Sequence, residues 1–206
     1  MAEAQEIKKM KKLLDKLFPM LEKLYKRKND KPPFPFEAYP PALEADIVAA
    51  EKLWKFKFPP SYRAFLKIHN GCQAFRHSFC VLGVSGPANE MLLKQWQGAV
   101  KSWERRIRRM KNGPQILAQV KKDEKDITKD VLYMPNHVPV VITKKGIDYY
   151  VFDRNHPGKR GEYPTVEVQP NSTEGINRCS DFTEIVRETI DWAEHNLEHV
   201  VRGDPH

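Results

Sequence analysis

A diproline, Pro59-Pro60, separates two apolar-patterned runs within residues 45 to 71, and an Asn70-Gly71 pair closes the second of them. Proline has no backbone N–H and drives the residue before it out of the helical region, so a helix arriving from upstream must stop near Phe58. Proline is well tolerated in the first turn of a helix, where its N–H would lack a partner anyway, so a second helix begins at the prolines. Upstream, Ile47, Ala50, Leu53 and Trp54 recur at three- and four-residue steps, which places them on one buried face. Downstream, Tyr62, Phe65, Leu66 and Ile68 form a second buried face, and Asn70-Gly71 supplies the left-handed backbone angle that ends a helix. The segment therefore predicts a pair of short helices whose apolar sides need another layer to cover them.

That layer is legible further along. Residues 74 to 84 carry Phe75, Phe79, Val81 and Leu82 and read as one strand or a short hairpin, ended by Ser85-Gly86-Pro87. Residues 138 to 143 and 147 to 153 are β-branched or aromatic runs on either side of Lys144-Lys145-Gly146, a strong hairpin signal. A polar loop over 153 to 162 leads to a third strand over 163 to 168, which makes an antiparallel meander. Two helices intervene. Residues 89 to 111 place Leu92, Trp96, Val100, Trp103, Ile107 and Met110 on one stripe, Asn112-Gly113-Pro114 stops that helix, and residues 115 to 126 give a short polar one. The closing helix opens with Asp181 as cap and Glu184 three residues on, a capping-box pattern, and buries Phe182, Ile185, Val186, Ile190, Ala193, Leu197 and Val200.

In their order, Pro59, Pro60, Tyr62, Phe65, Leu66, Asn70 and Gly71 resemble the opening motif of the SUKH superfamily, which contains bacterial toxin-immunity proteins and regulators of cell-wall assembly. The resemblance continues through Val138-Pro139-Val140, Gly146, the aromatic strand Tyr149-Tyr150-Val151-Phe152 ending in Asp153, and Tyr163-Pro164-Thr165-Val166, and it spans residues 43 to 200. It departs from the family pattern at Phe58, where Leu is commoner, and in a basic helical insertion near 89 to 128. The resemblance implies an α+β fold: an N-terminal helix pair, an antiparallel twisted sheet of about four to six strands, and a C-terminal helix on the sheet. It also implies a function, that of a non-enzymatic cytosolic immunity protein that neutralises a cognate toxin by protein–protein contact. The alternatives are a regulatory or scaffold adaptor in cell-envelope assembly and a basic nucleic-acid-binding module.

Charge narrows the partner. The net charge is +8, yet residues 1 to 31 hold ten Lys or Arg against five acids, and residues 94 to 112 hold seven against one, so the rest of the chain is slightly acidic. In the first segment Ile7, Met10, Leu14, Leu17, Leu21 and Leu24 form a heptad-like seam interrupted by Pro19. Residues 1 to 30 thus read as a basic helical arm, in one piece or two, that packs on the domain over 43 to 202 or on a second copy through residues 7 to 24. Residues 31 to 42, rich in Pro, read as an extended strap with Phe34, Phe36 and Tyr39 as staples. A basic chain suits a toxin with an acidic surface, or a partner met through the slightly acidic remainder of the domain. The expected contacts are Arg105 and Arg109, at a helix end, and Arg154, Lys159 and Arg160, in a loop of the kind where binding residues concentrate.

Catalysis has no visible seat. His195-x-x-Glu198-His199 has the order of one zinc-protease class, but such a site needs a third protein ligand downstream, and the chain ends at His206. No phosphate loop, Cys-x-x-Cys or defensible nucleophile–His set occurs, so no cofactor and no metal are expected. No run approaches the roughly 18 apolar residues of a membrane span. The three cysteines, Cys72, Cys80 and Cys179, suit a reducing cytoplasm.

Overall fold

Strands β4 (Val138–Thr143) and β5 (Tyr149–Phe152) are buried along their entire length, which requires helices on both faces of the sheet that contains them. The computed structural model describes residues 2–27, 36–76, 79–123, 137–143, 148–168 and 175–202. Its sheet has seven strands, each antiparallel to and beside its predecessor in sequence: β1 (Glu37–Ala38), β2 (Cys72–Arg76), β3 (Phe79–Val81), β4, β5, β6 (Thr165–Val168) and β7 (Gly175–Cys179). The expected meander is therefore present with more than the four to six strands anticipated. The additions are β1, two residues long inside the Pro-rich strap, and β7, which opens on Gly and carries the polar Asn177 and Arg178.

The period-two alternation of a strand sorts its side chains to the two faces. Tyr150 and Phe152 join a cluster built with α1 (Ala2–Arg27), α3 (Pro60–Leu66) and α6 (Phe182–Arg202). Tyr149 and Val151 join a second cluster with α4 (Pro87–Arg108) and α5 (Gly113–Asp123). In β4 the register slips between Pro139 and Val141, so Val140 and Val141 both serve the first cluster before Ile142 turns to the second. The basic insertion is thus the helical cover of the sheet's second face, with Trp96, Trp103, Ile107 and Leu117 as its buried groups. Trp96 meets Tyr149 edge-on at 5.3 Å.

The N-terminal seam is spent inside the chain. Met10, Leu14, Leu17, Leu21 and Leu24 are buried in the first cluster, where α1 lies across α3 and α6, so that stripe is not left for a second copy. Pro19 stands within one continuous helix. At the other end of the chain, the cap of α6 forms as its sequence suggests, with the Glu184 N–H donating to Asp181 Oδ1 at 2.9 Å. The Glu184 carboxylate in turn accepts from the Ser180 N–H, which pulls its pKa below the usual carboxylate range.

Helix α2 (Glu44–Trp54) stops four residues before the expected limit at Phe58. Lys55 takes a left-handed conformation (φ 48°), its N–H donates to Lys52 O, and the Phe56 N–H donates to Glu51 O at 3.0 Å, the 5→2 and 6→1 bonds of a Schellman ending. The early stop lets Phe56 and Phe58 turn inward to the aromatic core around Tyr62 and Phe152. It also changes the face that α2 buries: Ile47 is buried and Trp54 partly so, while Leu53, expected inside, is 76% exposed. Helix α3 does begin at the diproline, with Pro60 in its first turn, and Tyr62, Phe65 and Leu66 are fully buried. The 144–147 turn, the 124–126 end of the polar helix, Phe34 of the strap and the side chain of Val200 lie outside the described residues.

Candidate functional site

The motif residues converge on one end of the sheet and build a groove there. Two backbone segments cross at this end, 70–71 and 82–84, and they pass so closely that side chains are excluded. A Cβ on Gly83 would stand 2.3 Å from the Asn70 carbonyl oxygen, and Gly71, at φ +88°, would bring one to 2.8 Å from Val81 O. Three side chains then lock the crossing. Tyr62 Oη donates to Leu82 O at 2.7 Å, Asn70 Oδ1 accepts the Val84 N–H at 2.7 Å, and Asn70 Nδ2 donates to Ser85 Oγ at 3.0 Å. Ser85 Oγ donates onward to Asp46 Oδ2 at 3.3 Å, tying the crossing to α2. Burial pushes the Tyr62 phenol far above its ordinary pKa, so it is a fixed donor at any physiological pH.

Between α2 and the start of α4 this arrangement leaves a groove of about 200 Å³. Asp46, Ala49, Ala50, Leu53 and Trp54 of α2 form one wall, at the spacing of a single helix face. Leu82, Val84 and Pro139 form the floor, and Asn89 and Leu93 of α4 form the other wall. The exposed Leu53 stands at the mouth.

The loop 153–162 is pinned against the same α2–α3 connection. Asp153 is completely buried; its carboxylate accepts from Arg178 Nη2 at 2.6 Å and the Asn155 N–H at 3.1 Å, and lies 2.8 Å from His156 Nδ1. At the far end of the loop, Glu162 accepts both the N–H and the hydroxyl of Ser61, at 2.8 and 2.7 Å. Burial nevertheless raises its pKa, because desolvation of the carboxylate outweighs those two donors.

The sequence matches the SMI1 / KNR4 family (SUKH-1) over residues 41–188, well over half of the chain. The chain belongs to the SMI1/KNR4 family. No curated protein matches it. The family segment starts at α2 and ends within α6, so the groove and the pinned loop lie wholly inside it, whereas α1 packs into the core from outside.

In this SMI1/KNR4 domain the cations anticipated as partner contacts fall into three situations. Lys159 and Arg160 are exposed on a single 3-10 turn of the pinned loop, with Arg160 at φ 58°, and neither has an ion partner among the described residues. Arg154 instead has internal work: its guanidinium donates to Lys55 O at 3.0 Å and lies 5.4 Å from the Phe56 ring, which fastens the loop to α2. Arg105 and Arg109 are exposed at the end of α4. That helix starts beside Pro139, packs Trp96 on Tyr149 at the opposite end of β5, and carries Arg105 more than two turns beyond, so the structure does not bring these two to the loop. Tyr150 and Asp153 are buried supports: Tyr150 Oη donates to Glu167 Oε2 at 3.1 Å.

Sequence reasoning missed the groove, Leu53 as its exposed rim, and Asn89. The available signal was the second apolar face of α2, with Ala49 and Leu53 turned away from Ile47, which a search for one buried stripe discards. His195 and His199 face each other on α6, and no group of three or more His, Cys, Asp or Glu suited to a metal occurs among the described residues. No helix among them is long and apolar enough to cross a membrane.

Proposed function

We propose that this SMI1/KNR4 protein is a non-enzymatic cytoplasmic immunity protein that captures a cognate toxin domain on the end of its sheet and blocks it by contact. The observation that carries this reading is the juxtaposition of an apolar groove rimmed by the exposed Leu53 with a pinned loop presenting Lys159 and Arg160. Protein interfaces combine an apolar, desolvated centre with a polar rim, and Arg is among the residues enriched in them. A loop fixed by Asp153, Arg154 and Glu162 loses little entropy on binding, which favours affinity. A stable complex here needs about 800 Å² from each partner, so the contact must extend from the groove across the loop. The two cations favour a toxin whose complementary surface is acidic.

The test is growth rescue. A candidate toxin domain, sought among the genes next to this one, is expressed with wild-type protein or with the Lys159→Glu/Arg160→Glu variant. Full rescue by the wild type and loss of rescue by a variant with unchanged melting temperature support the reading; no rescue by the wild type removes it. A scaffold role in cell-envelope assembly would use the same face on a different protein, and would show as envelope defects on gene deletion in a strain without the toxin.

A further inference from the structure

Asn89 is 7% exposed, and its side-chain oxygen Oδ1 is buried with no hydrogen-bond donor among the described residues. It lies in the first turn of α4, in the wall of the groove. A buried carbonyl without a hydrogen bond is costly, and its persistence at a concave apolar surface calls for a donor from outside. Asp46, on the opposite wall, accepts the Ser85 hydroxyl and has no cationic partner among the described residues. The volume of about 200 Å³ is below the range of roughly 300–1,000 Å³ in which small-molecule ligands are held, and suits a single inserted side chain.

We propose that the α2–α4 groove is an anchor subsite for one large apolar side chain of a partner segment, whose main-chain N–H donates to Asn89 Oδ1 and whose neighbouring Lys or Arg pairs with Asp46. The apolar group would pack on Ala50, Leu53, Trp54 and Leu93, and Leu53 would pass from solvent into the contact. This inference rests on the reading of the face as a protein-binding one, and it adds a local rule: a toxin surface acidic opposite Lys159 and Arg160 carries a basic residue beside its anchor.

The test uses random peptides displayed on phage, selected on the full chain. Enriched peptides sharing one large apolar residue next to Lys or Arg are expected. A synthetic representative should bind about tenfold or more weakly to Leu53→Asp and to Asn89→Leu. Asn89→Leu, which removes the unpartnered oxygen, should melt no lower than the wild type. Failure to enrich any such peptide, or equal binding to wild type and both variants, overturns the anchor subsite. Growth rescue separates it from the function: a peptide that binds the groove of a protein giving no rescue leaves the subsite standing and sinks the toxin reading. Growth rescue by the wild type with no such peptide enriched does the reverse.

Discussion

Changing Tyr62 to Phe isolates the bond that ties the motif to the groove. Tyr62 is 2% exposed, and its ring meets Phe58, Phe152 and Phe182 edge-on with centroids 5.2 to 5.4 Å apart. Phe keeps all three contacts, so no cavity opens and the change reduces to the hydroxyl. That hydroxyl donates to Leu82 O at 2.7 Å in a buried setting, and removing it strands the carbonyl away from water. The cost of an unsatisfied buried acceptor is about 1–3 kcal/mol. A chain of this size loses about 2–4 °C of melting temperature per kcal/mol, so calorimetry should show a fall of roughly 2–12 °C. Because Leu82 and Val84 line the groove, the variant should also bind its partner more weakly, through a loosened floor and not through a lost contact. A melting temperature within about 1 °C of wild type would refute the reasoning, since it would mean that water replaces the phenol at Leu82.

Three further outcomes are expected. Leu66→Ala, at a fully buried position in α3, should cost about 2–5 kcal/mol in urea denaturation, and a loss under about 0.5 kcal/mol would mean that the diproline helix is not core. Glu162→Gln should alter the pH dependence of stability. Burial raises the pKa of Glu162 in the folded state, so its proton-linked contribution is fully present below the unfolded carboxylate pKa and is lost as pH rises through the raised value. Melting curves should therefore show the wild type gaining on the variant as pH falls from neutral into that range, and a difference independent of pH would place Glu162 in water. Gly83→Ala should destabilise by several kcal/mol and leave little folded protein at 37 °C, because its Cβ would meet the Asn70 backbone; wild-type stability would show that the crossing can open.

Signals that act locally were legible in the sequence. The diproline sets the start of α3, β-branched and aromatic runs make β4 and β5, and the Asp181 and Glu184 pair caps α6. What was not legible depends on segments distant in the chain. Lys55 ends α2 in a left-handed turn that pattern alone assigns to Gly, because Phe56 and Phe58 gain more by entering the aromatic core than the helix gains from another turn. β1 and β7 exist because β2 and β6 offer them edges, and their own side chains carry no strand pattern. The basic charge of the insertion drew attention to its arginines, while its weight in the fold lies in Trp96, Trp103 and Ile107 on the opposite face. Lys159 and Arg160 are exposed, whereas charge gave no sign that Arg154 is held by Lys55 and Phe56.

The central claim is that the α2–α4 groove and the loop beside it form one protein-binding face. Titration calorimetry of the candidate toxin domain against the wild type and Leu53→Asp tests it most directly, because Leu53 is 76% exposed and its change leaves the core intact. The account predicts tight binding by the wild type, loss of about 2 kcal/mol or more of binding free energy in the variant, and matching melting temperatures. Equal affinity for the two proteins would contradict it.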